Sequence, residues 1–224
     1  MITVRVGRLS RRHFSALTIG LATVIACSAR EIPGYPVSVD AFDPREIAML
    51  PGYCIHTELF RSKIPGGSNP EMIQAWTRQM GEVFRHMHHY CFGLMKTHRA
   101  LLLSRDSGTR RFYLADSLIE FDYVIDRAPE SFVLLPEILT KKGEALVHLG
   151  MGPVAVVHFE RAIGLKLDYW PPYAQLSDYY KASGDTRKAR RLLEEGLSHV
   201  PDAKALQRRI AELDTTPRWS STAH

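Results

Sequence analysis

Three histidines and a cysteine lie close together before the middle of the chain. They are His86, His88, His89 and Cys91, and a second cysteine, Cys54, precedes them. Imidazole nitrogens and thiolates are ligands that zinc and copper prefer. On a helix, residues three apart share a face, so His88 and Cys91 face one way and His86 and His89 another. The spacing does not gather all four around one metal, and metal or haem handling is kept as an alternative function.

The sequence lacks the local patterns that usually carry catalysis or cofactor binding. It has no Cys-x-x-Cys-His for covalent haem and no His-Glu-x-x-His for a zinc peptidase. No serine or cysteine stands in a nucleophile-elbow context, and no glycine-rich loop follows a strand pattern. Glu120, Asp122 and Asp126 fall on an amphipathic helix, where a solvated face is the default interpretation. We therefore expect a protein that is not an enzyme and has no cofactor.

The net charge of +5 is concentrated at the N-terminus. Arg5, Arg8, Arg11 and Arg12 lie in the first dozen residues with no acid among them, and the rest of the chain is nearly neutral. A nearly neutral chain lacks the excess of basic residues that binds a phosphate backbone, so no nucleic-acid partner is expected. An uncharged apolar stretch, 14–26, follows, and it is shorter than the roughly 20 residues that span a bilayer. This arrangement is typical of a bacterial export signal, predicted over residues 1–27.

Two short motifs in this leader resemble known export signals. Residues 10–14 (SRRHF) resemble the twin-arginine signal, but a serine and an alanine replace the leucine and lysine that usually follow, so general secretory export stays open. Residues 24–27 (VIAC) resemble the lipobox of bacterial lipoproteins, which implies a lipid on Cys27. The alternative is cleavage after Ala29, which would release a soluble protein. Both readings imply the periplasm or cell envelope of a bacterium, and the lipoprotein reading implies an outer-membrane anchor.

Cys54 and Cys91 also have an interpretation that needs no metal. Once Cys27 is assigned to the lipid, these two thiols remain, and an exported protein meets an oxidising compartment. We therefore predict a disulfide between Cys54 and Cys91, with two free buried thiols as the alternative. It would tie a Pro/Gly-rich loop to the histidine-bearing helix and stabilise the fold by about 3 to 4 kcal/mol in the chain-entropy model.

The second half of the chain contains one pattern twice, with a period of about 34 residues that we call the repeat period. The matched pairs are Gly143 with Ser177, Leu146 with Tyr180, Gly150 with Gly184, Ala155 with Ala189, Phe159 with Leu193, and Ala162 with Gly196. Small residues stand where two helices must touch, and large ones stand where a gap must be filled. Helix pairs of fixed length cannot bury their apolar face alone, so they stack and share one core. This pattern resembles the tetratricopeptide repeat.

The tetratricopeptide resemblance implies an all-α fold, an α-solenoid of antiparallel helix pairs with a partner-binding groove. It places repeats at 136–169 and 170–203, a divergent repeat at 86–129 with Gly93 as the small and Phe121 as the filling residue, and a capping helix at 204–213. The Lys/Asn/Arg carboxylate clamp of chaperone-binding members is absent, so mixed charge favours a protein or peptide surface over an acidic tail. The implied groove positions, on the first helix of each pair, are Leu94, Thr97, His98, Thr140, Glu144, Val147, His148, Asp178, Lys181 and Ala182.

The remaining segments connect the leader to the helical domain, predicted over 70–214. Prolines without helical periodicity in 28–50 predict an extended tether, and the Pro/Gly-rich loop up to residue 69 carries enough apolar residues to pack on the helices. Asn69 and Pro70 are typical of a helix start. Apolar residues at helical spacing continue to Leu103 with a break near Gly81, and a polar turn at 104–109 precedes a helix over 110–127. Residues 215–224 are predicted to be disordered.

These features predict a non-enzymatic adaptor of the bacterial cell envelope. It would bind a protein or peptide partner through the groove of its repeat helices, without nucleic acid and without a cofactor. The alternative is a periplasmic metal- or haem-handling protein that uses His86, His88, His89 and Cys91.

Overall fold

A computed structural model describes residues 42–215, which form helices and turns without a β-strand among them. The prediction of an all-α fold is confirmed for this part of the chain. The predicted signal with Cys27, the tether residues 28–41 and the tail residues 216–224 lie outside the described residues. Between residues 42 and 215, no helix is long and apolar enough to cross a membrane.

The helices form successive neighbouring pairs along the chain. α4 packs on α5, α6 on α7 and α8 on α9, and α10 packs on both helices of the last pair. The bounds are α1 Pro44–Ala48, α2 Glu58–Arg61, α3 Pro70–Met80, α4 Met87–His98, α5 Ser107–Ile125, α6 Leu135–His148, α7 Gly152–Leu165, α8 Pro171–Ala182, α9 Thr186–His199 and α10 Lys204–Thr215. Segments of 3-10 helix occur at Cys54–His56 and Gly81–His86, and α4 continues into one π-helical turn at Arg99–Leu103.

The turns that close α6 and α8 have the same backbone geometry and lie one repeat period apart. Gly150 and Gly184 have φ angles of +79° and +85°, a region that glycine enters without a Cβ clash. In each turn the next amide bonds back into the helix, at 2.9 Å to Leu146 O in the first and at 2.9 Å to Tyr180 O in the second. This is the Schellman type of helix end, and it occurs at matched positions of the two predicted repeats.

A glycine of the first helix receives an aromatic ring from the second helix in two of the pairs. Gly93 on α4 lies against Phe121 on α5, and Gly143 on α6 lies against Phe159 on α7, so closely that a Cβ at either glycine would collide with the ring. Both rings are fully buried. The small and filling residues predicted for the divergent pair therefore meet as they do in the unit over 136–169.

The segment before α3 packs against the helices. α1 begins with Asp43, whose side chain accepts a hydrogen bond from the amide of Arg45, and Glu46 in the same helix is fully buried. Phe60 is also buried, with its ring centroid 4.8 Å from that of Phe92 on α4. The extended-tether prediction is therefore wrong for residues 42–50, because this stretch has a buried charge partner in the core. The predicted packing of the following loop is confirmed.

Two helix boundaries differ from the sequence prediction. α5 begins at Ser107, inside the predicted 104–109 turn, because the Asp106 side chain accepts a hydrogen bond from the amide of Thr109 at 2.8 Å and caps the helix there. α10 extends to Thr215, beyond the predicted end of the capping helix. The break near Gly81 is confirmed, since this glycine has a φ of +62° and ends α3.

Candidate functional site

The four side chains of the predicted alternative metal site make separate contacts in the structure. Cys91 is joined to Cys54 by a disulfide with a Cα–Cα distance of 5.8 Å, as predicted, so no thiolate is available at this position. His89 Nδ1 lies 2.6 Å from Glu120 Oε2, and its ring stacks on Tyr123 with centroids 3.6 Å apart. In residues 42–215, no three His, Cys, Asp or Glu side chains are arranged to hold a metal ion.

His86 and His88 pack against other rings. The His86 ring meets Tyr123 edge-on at 5.7 Å, and the His88 ring lies 4.3 Å from that of His89 and 6.4 Å from that of Phe92. Burial lowers the pKa of both His86 and His88, which favours their neutral forms. They therefore contribute to the packing around α4.

His89 belongs to a charged cluster that joins α4 to α5. Lys96 is buried, and its ammonium lies 2.6 Å from Glu120 Oε1 and 2.7 Å from Asp116 Oδ2. Burial alone would raise the pKa of Glu120, but the hydrogen bonds from His89 and Lys96 outweigh it and lower that pKa. The cluster pairs its charges between α4 and α5, so it holds the two helices together.

Three of the predicted groove positions are buried in the structure. We use the term first-helix face for the surface along which α4, α6, α8 and α10 contact one another in turn. Leu94, Thr97 and Thr140 on these helices are buried, so a partner could not reach their side chains. The two threonine hydroxyls bond within their own helices, to Gly93 O at 2.9 Å and Pro136 O at 2.7 Å. This local bond satisfies the hydroxyl, so a threonine can be buried where the tetratricopeptide resemblance predicts a surface position.

The other predicted groove positions reach the surface to differing degrees. His148 and Ala182 are exposed, and they occupy matched positions at the ends of α6 and α8, one repeat period apart. The other five positions are partly buried; they are His98, Glu144, Val147, Asp178 and Lys181. Burial, followed by the charge of Lys141, lowers the pKa of His98, and its Nδ1 has no hydrogen-bond partner among residues 42–215.

Two rows of polar residues recur at the repeat period on the first-helix face. Gln175 Nε2 on α8 donates to Glu144 Oε1 on α6 at 3.1 Å, and Arg209 Nη2 on α10 donates to Asp178 Oδ2 on α8 at 2.7 Å. Glu144 and Asp178 therefore connect neighbouring first helices besides facing the surface. The donor row is Lys141, Gln175 and Arg209, and the acceptor row is Glu144, Asp178 and Glu212. Their spacing is visible in the sequence and could have identified both rows.

Glu137 is a further residue of this face that the sequence analysis missed. It lies one helical turn before Lys141 on α6, in the stripe that continues to Glu144. The Tyr90 hydroxyl of α4 donates to Glu137 Oε1 at 2.7 Å. Its spacing from Lys141 and Glu144 indicates in the sequence that the three residues share one face of α6.

Comparison with known proteins adds no family to these observations. The sequence matches no protein-family model, and no curated protein is significantly similar to it. The tetratricopeptide assignment therefore stays a prediction from the repeat pattern.

Proposed function

We propose that this protein is a non-enzymatic adaptor of the tetratricopeptide type, an α-solenoid whose first helices bind a protein or peptide. The observation that carries the proposal is the first-helix face, on which Glu144 and Gln175 connect α6 to α8, and Asp178 and Arg209 connect α8 to α10. Helices joined by these hydrogen bonds present a surface that loses little conformational entropy when a partner binds. Affinity would come from contacts along that surface.

The proposed location is the bacterial cell envelope. The leader resembles an export signal, and Cys27 stands where a lipoprotein would be acylated. The disulfide between Cys54 and Cys91 supports an oxidising compartment, because such bonds persist there and are rare in the cytosol. A lipid on Cys27 would hold the adaptor at a membrane face while its helical part stays in water.

Site-specific photocrosslinking tests the binding face. A photoreactive amino acid replaces His148 or Ala182, which are exposed on α6 and α8, in the full chain expressed in its own host. The matched controls are Arg161 and Glu195, which are exposed on α7 and α9 and are also separated by one repeat period. We expect the same discrete adduct from both first-helix positions and no adduct from the controls.

A substitution pair checks that the adduct reports binding. Ala182→Arg should reduce recovery of the crosslinked partner in co-purification, since it places a long cation in the face, whereas Glu195→Arg should leave recovery unchanged. Adducts that form equally from Arg161 and Glu195 would contradict the assignment of the face.

A further inference from the structure

The hairpin of α4 and α5 is longer than the hairpin of α6 and α7 that follows it. Gly93 meets the Phe121 ring across the first pair at a separation of 28 residues, whereas Gly143 meets the Phe159 ring across the second at a separation of 16. The additional residues lie toward the closed end of the hairpin, where they lengthen each helix by about six residues, or about 9 Å. The closed end, 101–112, which we call the hairpin tip, therefore projects beyond the turn between α6 and α7.

The hairpin tip exposes three large apolar side chains from both of its arms. Leu101 and Leu102 in the π-helical turn are 37% and 63% exposed, and Phe112 on α5 is 58% exposed. The Phe112 ring lies 5.5 Å from that of Tyr113, which in turn lies 6.0 Å from the guanidinium carbon of Arg99 at the start of the π-helical turn. The two arms thus expose apolar groups next to each other, and a cluster of this kind marks an interaction surface.

Three arginines accompany these apolar side chains. They are Arg105, Arg110 and Arg111, which are exposed and are not ion-paired with an acid among residues 42–215. Asp106 is the one acid in the sequence of the tip, and its side chain caps α5 by accepting a hydrogen bond from the Thr109 amide at 2.8 Å. The tip therefore combines exposed apolar groups with an excess of positive charge, as surfaces that bind anionic lipids do.

The hairpin tip is held in place by buried contacts at its base. The amide and the hydroxyl of Ser104 each donate to Arg99 O at 2.9 Å. Arg99 is in turn ion-paired with Glu46 of α1, with Nη2 2.8 Å from Oε2. Because these contacts already fix the turn, docking of the tip requires little further ordering of the backbone.

We propose that the hairpin tip docks on an anionic phospholipid surface. Leu102 and Phe112 enter the membrane interface, and the three arginines contact the phosphate groups. Phe112 lies about 7.5 Å along α5 from Ser107, within the depth of about 5 to 10 Å that interfacial apolar residues reach. The inference goes beyond the adaptor function and does not depend on it.

The start of the described chain lies beside the tip, which favours a membrane over a protein as the occupant. α1 is joined to the π-helical turn through Glu46 and Arg99. Residues 28–41 separate the proposed lipid site, Cys27, from Phe42, and fully extended they span at most about 50 Å. A lipid on Cys27 would therefore keep this end of the helical domain near the membrane, although the charge and apolar groups of the tip do not require that lipid.

Depth-dependent fluorescence quenching tests the docking of the tip. An environment-sensitive fluorescent amino acid replaces Leu102 in the full oxidised protein, which is combined with vesicles that contain brominated acyl chains as quenchers. The vesicles are phosphatidylcholine alone or phosphatidylcholine mixed with anionic phosphatidylglycerol. Val133 is the control position, since it is 57% exposed and follows the opposite end of α5. We expect quenching of the Leu102 label in the anionic vesicles and none of the Val133 label.

Two pairs of substitutions test the role of the arginines. Arg110→Gln with Arg111→Gln should lower the ratio of quenched to unquenched protein about 30-fold, or about fivefold for each arginine near an anionic surface. Arg187→Gln with Arg191→Gln removes the same charge from exposed positions of α9 and should leave the ratio unchanged. All four side chains are exposed, so circular dichroism should show the native helix content in both variants.

Several outcomes would overturn the proposal. These are an unquenched Leu102 label, equal quenching at Leu102 and Val133, equal quenching with and without phosphatidylglycerol, or equal losses from the two arginine pairs. The adaptor function fails separately, because it is judged by the crosslinks from His148 and Ala182. Mass spectrometry of Cys27 likewise tests the lipid by itself, so docking without an acyl chain would remove the anchor and leave the tip.

Discussion

The ion pair between Glu46 of α1 and Arg99 of the π-helical turn yields a quantitative stability prediction. Glu46 is 0% exposed and Arg99 is also 0% exposed. The guanidinium donates through Nε to Oε1 at 2.5 Å and through Nη2 to Oε2 at 2.8 Å. Glu46→Gln keeps the shape of the side chain but leaves a buried cation without its counter-charge.

The expected cost follows from this burial. Removing one partner of a buried ion pair costs about 3 to 5 kcal/mol, because the remaining charge has lost its water. Glutamine still offers one acceptor to Arg99, so we expect the lower end, about 3 kcal/mol. For a domain of this size that loss lowers the melting temperature by about 6 to 12 °C.

Urea unfolding of the oxidised protein, followed by circular dichroism, measures the difference. Glu130→Gln is the control, since Glu130 is 79% exposed and lies 3.8 Å from Arg161 in a surface pair that contributes little. A companion variant, Glu46→Leu with Arg99→Met, replaces both charges by apolar groups and should recover most of the lost stability. A loss below about 1 kcal/mol for Glu46→Gln would refute the reasoning, because a pair worth so little behaves as a solvated one.

Three other perturbations have defined outcomes. Gly143→Ala should reduce the unfolding free energy by about 1 to 3 kcal/mol, because its Cβ would lie 2.5 Å from the Phe159 ring. Gly164→Ala has open space around it and should stabilise α7 by about 0.5 to 1 kcal/mol. Thermal melts compare the two variants, and equal shifts in melting temperature would contradict the packing. Reduction of the disulfide should cost about 4 kcal/mol in the chain-entropy model for its sequence separation of 37, measured by urea unfolding with and without reductant. Burial lowers the pKa of His88 and His98 from 6.5, so the folded protein binds fewer protons than the unfolded chain below that pH. Unfolding free energy should therefore be lower at about pH 5.5 than at about pH 7.5, and His98→Asn should flatten this dependence; a slope of the opposite sign would contradict it.

The second half of the fold could be predicted because its contacts are local and repeated. Gly150 and Gly184 end matched helices, and Phe159 fills the space beside Gly143 on the preceding helix. Each of these relations lies within one helix pair, so residue type and spacing were enough to indicate it.

The N-terminal arm depends on contacts that no local pattern reveals. Glu46 meets Arg99 across 53 residues, and a glutamate is rarely buried, so its sequence context indicated a solvated tether. The burial of Thr140 was equally hidden, because a threonine that bonds to its own helix looks the same in sequence as an exposed one. Glu137 differs from these, since its spacing to Lys141 and Glu144 on one helix could have identified it.

The polar rows of the first-helix face have a direction. In each step the donor lies on the later helix and the acceptor on the earlier one, from Gln175 to Glu144 and from Arg209 to Asp178. Partly exposed contacts of this kind contribute only about 0 to 1 kcal/mol each, so stability is not their main effect. If one of these helices were turned end to end, its acceptor would face the acceptor of one neighbour and its donor would face the donor of the other, which is unfavourable. The rows thus favour one orientation of every first helix in the stack, the same for each unit.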